Sequence, residues 1–337
     1  MNQVKIQALQ AEYGDCIFVS IEENGKNINI LVDGGTKNTY IDLRMGYPMP
    51  GVLWQKLDEL KAKDQHIDLL VITHIDNDHI AGILEWFRTN IPSPDFVRKI
   101  WFNDNVEIPT YKSKDNSKGQ VIELKNLLDN HGISYQRQIV CGQEYSFVCG
   151  RIYVLAPSVD YHNKVAGELQ TEIDKKSLNN NSSNTHYDID IDDMMKLKWK
   201  VSLSPSNRAS IALLIATNSG KNQLLLGDAD IDVVIKSLRV LGYNEKHKLQ
   251  CYVVKLAHHG SKNNFKDKFL DIVAADNFIV STDGSFYGHP DKEVIAHLLT
   301  KTKSNILFNY KSVMDRLFTE NDKKSYPNIL YRCKFIS

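Results

Sequence analysis

Four side chains that commonly bind metals fall within six consecutive residues. They are His74, Asp76, Asp78 and His79, in the segment VITHIDNDHIAGI of residues 71–83. Carboxylates placed this close together repel one another unless a cation lies between them, and the two imidazoles can add nitrogen ligands. The cluster therefore predicts a site for a divalent metal ion. The alternative is a helix N-terminus where the aspartates cap free backbone amides, but capping leaves two histidines and one aspartate unexplained.

Other polar residues also come directly after apolar segments. Asp228 follows NQLLL, His258 and His259 follow CYVVKLA, and His289 lies in the turn at 288–290. Loops at the carboxyl ends of strands are where α/β proteins commonly build their sites. We therefore expect these residues to converge on the first cluster.

The elements that must position these residues alternate between strands and helices. The nearly continuous apolar run IDLLVIT predicts a buried strand, and helical spacing is present in VLWQKLDEL and IAGILEWF, so the first cluster lies on a strand-to-helix loop. Residues 1–36 predict a β-hairpin with a turn at 23–26, followed by a glycine turn. Residues 160–205 are rich in Asn, Ser and Asp and predict a long insertion or a partly disordered loop. The alternation predicts a layered α/β fold with helices packed on sheets.

The bulk composition excludes several classes of protein. With 337 residues, of which 42% are hydrophobic, the chain can bury a real core as one large domain or two ordinary ones. Lysine plus arginine equals aspartate plus glutamate at 41 each, so an anionic partner must be bound locally. Five cysteines without zinc-knuckle spacing indicate a reducing cytoplasm. We expect no membrane segment and no secretion, because neither a targeting pattern nor a long apolar run is present.

A family resemblance rests on residues 73–79, THIDNDH, which resemble the histidine-rich signature of the metallo-β-lactamase fold in the variant where aspartate replaces the second histidine. This variant is similar to the hydrolase domain of ComEC-type competence proteins and their free-standing relatives. Five further segments match in order, and the resemblance covers about residues 1–300 apart from the insertion. The segments are GDC (14–16), VDGG (32–35), LGD (226–228), HHGSK (258–262) and YGHP (287–290).

The resemblance implies a four-layer αββα sandwich with a site for one or two divalent metal ions, Mn²⁺ or Zn²⁺ and possibly Mg²⁺, at one edge. The hydrolase domain would span residues 1–310, and residues 311–337 would form a C-terminal extension packed on it or trailing from it. By matched position, six residues would bind the ions: His74 and Asp76 the first, Asp78, His79 and His289 the second, and Asp228 both.

One departure from the family pattern affects the first ion. Where the wider superfamily has another histidine, residues 206–210 read SNRAS, so the first site is poorer in ligands and one tightly bound ion would be the resting state. Alternatively, Asn207 or Ser210 supplies an oxygen to the metal or the substrate. Because carboxylates replace imidazoles here, manganese or magnesium is expected to support turnover at least as well as zinc.

The charges favour an anionic substrate. Three aspartates oppose four positive charges on two ions, so the occupied site stays slightly positive, and a metal-bound hydroxide would attack phosphorus. Lys255, Ser261 and Lys262 would bind the phosphate, and His258 or His259 would protonate the leaving group. One of the two histidines could instead bind metal. Asp78 is grouped with the catalytic residues, and Asp33 is expected to support the metal loop from behind.

Three functions remain in view. The leading hypothesis is a cytoplasmic phosphodiesterase or nuclease, for which nucleic acid or nucleotide as substrate rests on the resemblance alone. The second is a metallohydrolase of a carboxyl ester, lactone or thioester, which the same fold supports. The third is a non-catalytic module of a larger assembly in which the metal is structural. No protein partner is predicted.

Overall fold

The computed structural model describes residues 3–23, 25–104, 116–162, 186–199 and 201–336, without the side chains of residues 116–118. Residues 163–185 and 200, within the predicted insertion, therefore lie outside the described residues, as does Asn24 of the predicted turn at 23–26. The remaining strands and helices expected from the sequence are present, with ends that differ by a few residues.

The first sheet has five strands, all from the N-terminal third of the chain. They are β1 (Gln3–Ala8), β2 (Ile17–Glu23), β3 (Lys26–Val32), β6 (Leu69–Ile72) and β7 (Ile100–Phe102). The first three strands are antiparallel neighbours, and β3, β6 and β7 run parallel in that order. A separate small hairpin is formed by β4 (Ile41–Asp42) and β5 (Met49–Pro50).

The second sheet has eight strands in the order β15-β14-β13-β12-β11-β10-β9-β8. They are β8 (Glu144–Phe147), β9 (Gly150–Ala156), β10 (Ala212–Thr217), β11 (Gln223–Leu225), β12 (Leu249–Lys255), β13 (Val273–Val280), β14 (Asn305–Phe308) and β15 (Cys333–Phe335). Strands β11 to β15 are parallel, so their carboxyl ends lie at the same edge of the sheet. Asp228 and the histidine pair follow β11 and β12 at that edge.

Helices cover the outer face of each sheet. Those associated with the first sheet are α1 (Lys37–Tyr40), α2 (Val52–Ala62), α3 (Asn77–Thr89) and α4 (Asn116–Asn130). Those associated with the second sheet are α5 (Ile191–Met194), α6 (Pro205–Arg208), α7 (Ile231–Val240), α8 (Asp267–Ile272), α9 (Lys292–Lys301), α10 (Lys311–Arg316), α11 (Glu320–Ser325) and α12 (Ile329–Arg332). No helix among the described residues is long and apolar enough to cross a membrane.

Alternating side chains divide the core into layers. In β6, Leu70 and Ile72 pack against the helices on the first sheet, whereas Leu69 and Val71 point into the space between the sheets. That space is filled from the other side by residues of the second sheet such as Leu213. A strand with apolar residues on both faces is buried on both faces, as the run IDLLVIT predicts. The predicted four-layer αββα sandwich is confirmed.

The described C-terminal residues complete the second sheet. Strand β15 pairs in parallel with β14, and Val313, Leu317 and Phe318 belong to the outer core of that sheet. Residues 311–336 are therefore packed on the sandwich along its edge. Within the predicted insertion, Ile191 and Met194 of α5 are fully buried in the same core, so this part is ordered structure rather than loop. The domain limits themselves stay a prediction.

Candidate metal centre

The loops that carry the predicted metal-binding residues meet at one edge of the sandwich. The backbone amide of Ile211 donates to the carbonyl of Thr73 at 2.9 Å, and the amide of His258 donates to the carbonyl of Gly227 at 2.9 Å. The amide of Asp15 donates to the carbonyl of Asp78 at 3.1 Å. Loops from both sheets are thus joined directly around the cluster, as the shared strand edge predicts.

Helix capping does not account for Asp76. Helix α3 begins at Asn77, which places Asp76 at the N-cap, but its side chain makes no capping hydrogen bond. Its carboxylate instead lies 3.6 Å from Nε2 of His74 and accepts a hydrogen bond from the Ser206 hydroxyl at 3.1 Å. The structure therefore does not support a capping role for Asp76, and a role in metal binding explains its position better.

A first group of ligand atoms surrounds Oδ2 of Asp228. Nε2 of His74 lies 3.5 Å from this oxygen, and Nε2 of His258 lies 3.6 Å from it. Asp76 completes the group through its contact with His74. His258 thus supplies the imidazole that residues 206–210 lack, and it does so from a different loop.

A second group surrounds the other carboxylate oxygen of Asp228. Nε2 of His79 lies 3.5 Å from Oδ1 of Asp228 and 3.9 Å from Oδ2 of Asp78. Nε2 of His259 lies 3.3 Å from the same oxygen of Asp78. Asp15, His79, Asp228 and His259 each offer a ligand atom, and these four atoms lie within 4.8 Å of one another. Asp228 therefore presents one oxygen to each group, as a bridging ligand would.

Hydrogen bonds at the far nitrogen orient the histidines of the second group. Nδ1 of His259 lies 2.8 Å from the carbonyl of Ser281, which can only accept, so this nitrogen carries the proton. Nδ1 of His79 donates to Oδ2 of Asp33 at 2.8 Å. Asp33 also accepts from the amide and hydroxyl of Thr73, each at 2.7 Å, and so supports the metal loop from behind as expected. Both rings thereby direct Nε2 toward the cluster.

The histidines of the first group are oriented in the same way. The Thr73 hydroxyl donates to Asp33, so its oxygen accepts from Nδ1 of His74 at 3.0 Å. The amide nitrogen of Asn264 donates to the carbonyls of Asp228 at 2.8 Å and Ala229 at 3.1 Å. Its oxygen is therefore left to accept from Nδ1 of His258 at 3.1 Å. All four histidines direct Nε2 inward, which is the tautomer that a metal ligand needs.

Buried polar atoms without hydrogen-bond partners show, without reference to any protein family, that the residues fit divalent ions. Nε2 of His74, His79 and His259 and Oδ1 of Asp228 are buried and have no well-aligned hydrogen-bond partner among the described residues. Buried polar atoms in folded proteins are almost always paired, so four orphans at one point require an explanation. Ligands about 2.1 Å from a shared ion lie about 3.4 Å apart, and the separations here run from 3.3 to 3.9 Å. Two metal ions would satisfy all four atoms.

The histidine turn is held in a strained conformation. His258 and His259 have φ of 46° and 58°, in the left-handed region that side-chain-bearing residues seldom adopt. The turn at Ala257–Gly260 is kept in place by the amide of Ser261, which donates to the carbonyl of His258 at 2.9 Å. Adjacent residues in this conformation direct both rings to the same centre, which an extended segment could not do.

The carboxylates shift the titration of two histidines. Burial alone would lower the pKa of His259, but Asp15 and Asp78 raise it to about 9. Burial likewise opposes the charged form of His79, but the carboxylates of Asp228, Asp33 and Asp78 raise its pKa well above the ordinary value. At His258 burial dominates and lowers the pKa to about 4. Without metal, His79 and His259 are therefore protonated at neutral pH and His258 is not.

Metal binding is accordingly expected to release protons. At pH 7 an ion that binds Nε2 of His79 and of His259 must displace a proton from each, so about two protons should be released per protein. Affinity should rise as the pH increases, and the part of the rise that comes from His259 should end above about pH 9, once His259 has lost its proton without metal. Calorimetric titration in two buffers of different ionisation enthalpy measures the release. Binding with no proton release would contradict the assigned ligand atoms.

His289 lies next to the predicted metal ligands. Its ring centroid lies 5.0 Å from that of His258 and 6.5 Å from that of His259, at the side of the cluster. Its Nδ1 lies 3.5 Å from Oδ2 of Asp291, so its Nε2, like that of the other four histidines, remains available. Asp78 and His79 have His259 beside them. From these distances we propose His259 as the ligand beside Asp78 and His79, whereas the ligand role of His289 and the catalytic role of the histidine pair stay predictions.

Four of the five predicted substrate-binding side chains are engaged within the protein. The Lys255 ammonium is buried and paired with Asp15, and Lys262 pairs with Glu293 at 2.8 Å. The hydroxyl of Ser261 accepts from the amide of Asn263 at 3.3 Å, and that of Ser210 accepts from the amide of Asp228 at 2.9 Å. A substrate contact is not supported for these four residues. Asn207 and Ser210 both lie at the cluster, with Nδ2 of Asn207 3.3 Å from Nδ1 of His258 and the Ser210 hydroxyl 3.4 Å from Nδ1 of His74.

Lys255 is expected to matter for stability rather than for substrate affinity. Lys255→Met leaves the Asp15 carboxylate buried without its main partner, which should cost about 3–5 kcal/mol in the free energy of unfolding. Lys262→Met removes a lysine that is 25% exposed, and its partner Glu293 keeps His186 at 3.1 Å, so this variant should cost less. Urea unfolding of both metal-free variants measures the difference. A Lys255→Met protein with parental stability and a raised KM would restore the substrate role.

The sandwich is an α/β fold with a buried His/Asp cluster at its edge that could hold divalent ions. Residues 10–107, which include Asp15, Asp33 and the 74–79 cluster, match the family model of the Metallo-beta-lactamase superfamily. The predicted resemblance to this superfamily is thus confirmed for that part of the chain, whereas the narrower likeness to ComEC-type proteins stays a prediction. Comparison with curated proteins finds no match.

Solved structures that resemble the chain share little sequence with it. A diphosphatase from the PhnP family is 12% identical, covers 95% of this chain and 80% of its own, and has a TM-score of 0.38. The metallo-beta-lactamase fold protein YhfI from Bacillus subtilis is 11% identical over 98% of this chain and 93% of its own, with a TM-score of 0.38. A quorum-quenching N-acyl homoserine lactone hydrolase is 11% identical over 87% and 78%, with a TM-score of 0.31. Similarities this low carry no information on the substrate.

Proposed function

We propose that this protein is a hydrolase that uses two divalent metal ions and acts on a phosphodiester. The observation that carries the proposal is the position of Asp228, which presents one buried oxygen to a His/Asp group on each side. When bound, such ions activate the attacking water and stabilise negative charge that develops on the ester oxygens. The family model matched by residues 10–107 supports the same class.

The residues behind the ligands have a defined task. Asp33, Thr73, Ser281 and Asn264 each hold a proton on Nδ1 of one histidine, so that Nε2 stays available. We propose His289 as the residue that protonates the leaving group. Asp291 lies 3.5 Å from its Nδ1 and orients the ring, which leaves Nε2 to give a proton to the departing oxygen.

The centre is open on one side, as a catalytic site requires. The Asp76 side chain is 32% exposed and that of His258 is 18% exposed, whereas His79 and His259 are fully buried. A structural metal site is closed by its ligands and has no use for an accessible face. This observation favours an enzyme over the non-catalytic module.

The choice of a phosphodiester rests on charge. Asp76, Asp78 and Asp228 supply three negative charges against four on two ions, and Asp15 is neutralised by Lys255. The centre therefore keeps a positive excess that attracts an anionic ester. The lysines that the sequence offered as phosphate donors no longer contribute, so the carboxyl-ester alternative is tested beside the phosphodiester. A nucleotide or nucleic-acid substrate is part of the proposal.

The proposed function is tested with chromogenic esters on metal-loaded protein. We expect hydrolysis of bis-p-nitrophenyl phosphate with manganese or zinc, loss of activity on chelation, and little hydrolysis of p-nitrophenyl acetate or a simple lactone. The sequence predicted that manganese supports turnover at least as well as zinc, because carboxylates replace imidazoles. Four imidazoles lie at the centre, however, so zinc should bind more tightly than manganese. Hydrolysis of the carboxyl ester alone would select the alternative. Bound metal with no hydrolysis of any ester would select the structural module.

A further inference from the structure

Three aromatic rings form a cluster at the open side of the metal centre, which we call the aromatic platform: Tyr13, Phe286 and Tyr287. Tyr13 and Phe286 are stacked, with ring centroids 4.9 Å apart and planes inclined by 24°. Phe286 meets Tyr287 edge to face, with centroids 4.7 Å apart. These are the favoured geometries of aromatic pairs, so each ring fixes the others.

The aromatic platform adjoins the metal centre directly. The Tyr287 ring lies 6.1 Å from the ring of His258 and 6.0 Å from that of His289, with which it is nearly parallel. Tyr13 is held from the other side through its neighbour Gly14, where an added Cβ would lie 2.0 Å from the carbonyl oxygen of Asp78. The platform is therefore held by the same loops that carry the metal-binding residues.

Two rings of the platform are exposed beside the metal centre. Phe286 keeps 55% of its surface exposed and Tyr287 keeps 39%. A phenylalanine left in water loses the free energy of burial, so an exposed pair of rings beside a reactive centre indicates a ligand that covers them. The flat rings offer a surface on which a planar ligand can stack, whereas an aliphatic ligand would need a groove.

We propose that the aromatic platform is a stacking subsite for the nucleobase of a nucleotide phosphodiester whose phosphate lies at the metal centre. The inference rests on the proposed function and names its substrate class. Phe286 supplies the exposed face, Tyr13 supports it from behind, and Tyr287 fills the space between base and metal centre. Stacking on a ring tolerates every base. Because the chain has no net charge to attract a nucleic-acid backbone, stacking on the base would supply binding free energy that does not depend on charge.

The subsite is tested by ligand binding rather than by turnover. Manganese-loaded protein is titrated with AMP and with ribose 5-phosphate, which share the sugar phosphate and differ in the base. The parent should bind AMP about tenfold more tightly than ribose 5-phosphate. Phe286→Ala should abolish this preference without changing the affinity for ribose 5-phosphate or the metal content, and Phe286→Trp should retain it. Tyr331→Ala, which removes a 64% exposed aromatic ring from α12, is the matched control and should behave as the parent.

The outcomes separate the subsite from the proposed function. Equal affinity of the parent for the two ligands, binding of neither ligand, or a Phe286→Ala variant that weakens both alike would overturn the subsite. A parent that hydrolyses bis-p-nitrophenyl phosphate without preferring AMP keeps the proposed function and loses the subsite. A parent that prefers AMP but hydrolyses no phosphodiester keeps the subsite and loses the proposed function.

Discussion

Replacement of His259 by alanine is expected to remove one of two bound metal ions and to lower turnover of a phosphodiester by at least about a hundredfold. Nε2 of His259 lies 3.3 Å from Asp78, and its loss leaves the second group with one imidazole. Loss of a direct ligand should exceed the 10- to 100-fold loss of affinity that is typical when a residue behind a ligand is changed. Elemental analysis at limiting free metal and steady-state kinetics give the two quantities.

The matched variant is His289→Ala, which separates a ligand from a proton donor. Because His289 lies beside the cluster, this variant should keep both ions and lose turnover mainly on substrates with a poor leaving group. A nitrophenyl ester, whose leaving group needs little protonation, should be affected less. If His289→Ala lost metal and His259→Ala did not, the assignment made from the sequence would be right and the proposal for His259 wrong.

Replacement of Asp228 by asparagine is expected to abolish hydrolysis and to lower the affinity for both ions. The change preserves shape but removes the negative charge that faces His74 and His258 on one side and His79 on the other. An amide can offer only one oxygen, so it cannot bridge two ions as a carboxylate does. Metal stoichiometry should fall at both positions together, which a single-site ligand would not produce.

Asp230→Asn provides the control for that variant two residues away. Asp230 caps α7 by accepting from the amide of Asp232 at 2.9 Å, and asparagine caps a helix about as well. Parental stability, metal content and turnover are therefore expected. If Asp228→Asn bound two ions with parental affinity, Asp228 would not be the bridging ligand.

The sequence predicted the layers and the location of the site, because both depend on local pattern. The run IDLLVIT required a strand buried on both faces, and β6 is one. The spacing of His74, Asp76, Asp78 and His79 cannot be explained by capping, and the Asp76 side chain makes no capping bond. The residues that follow β11 and β12 meet at one edge because parallel strands end together.

The sequence could not assign roles within the site, because those depend on where each ring points. His258, His259 and His289 all come directly after strands or in turns, in the order that the family resemblance implies. Nothing in the local sequence shows that His258 and His259 adopt the left-handed conformation that directs both rings inward. Lys255 carries the same charge whether it faces a substrate or the core, and only packing shows it buried against Asp15. Asp15 and Asn264 support histidines that are distant in sequence, and such contacts leave no local signal.

The amino-acid sequence by itself thus determined the fold class and the edge of the sheet at which a site forms, because hydrophobic periodicity and the ends of strands are local properties. It also determined that the candidate ligands are imidazoles and carboxylates. Tertiary structure decided which histidines direct Nε2 into the cluster and that Lys255 is buried against Asp15. It also decided that Tyr13, from the loop between β1 and β2 of the first sheet, stacks on Phe286, from a loop that follows β13 of the second. The physical reason is that side-chain direction and charge pairing are set by residues far away in the chain, which become neighbours only when the two sheets pack together.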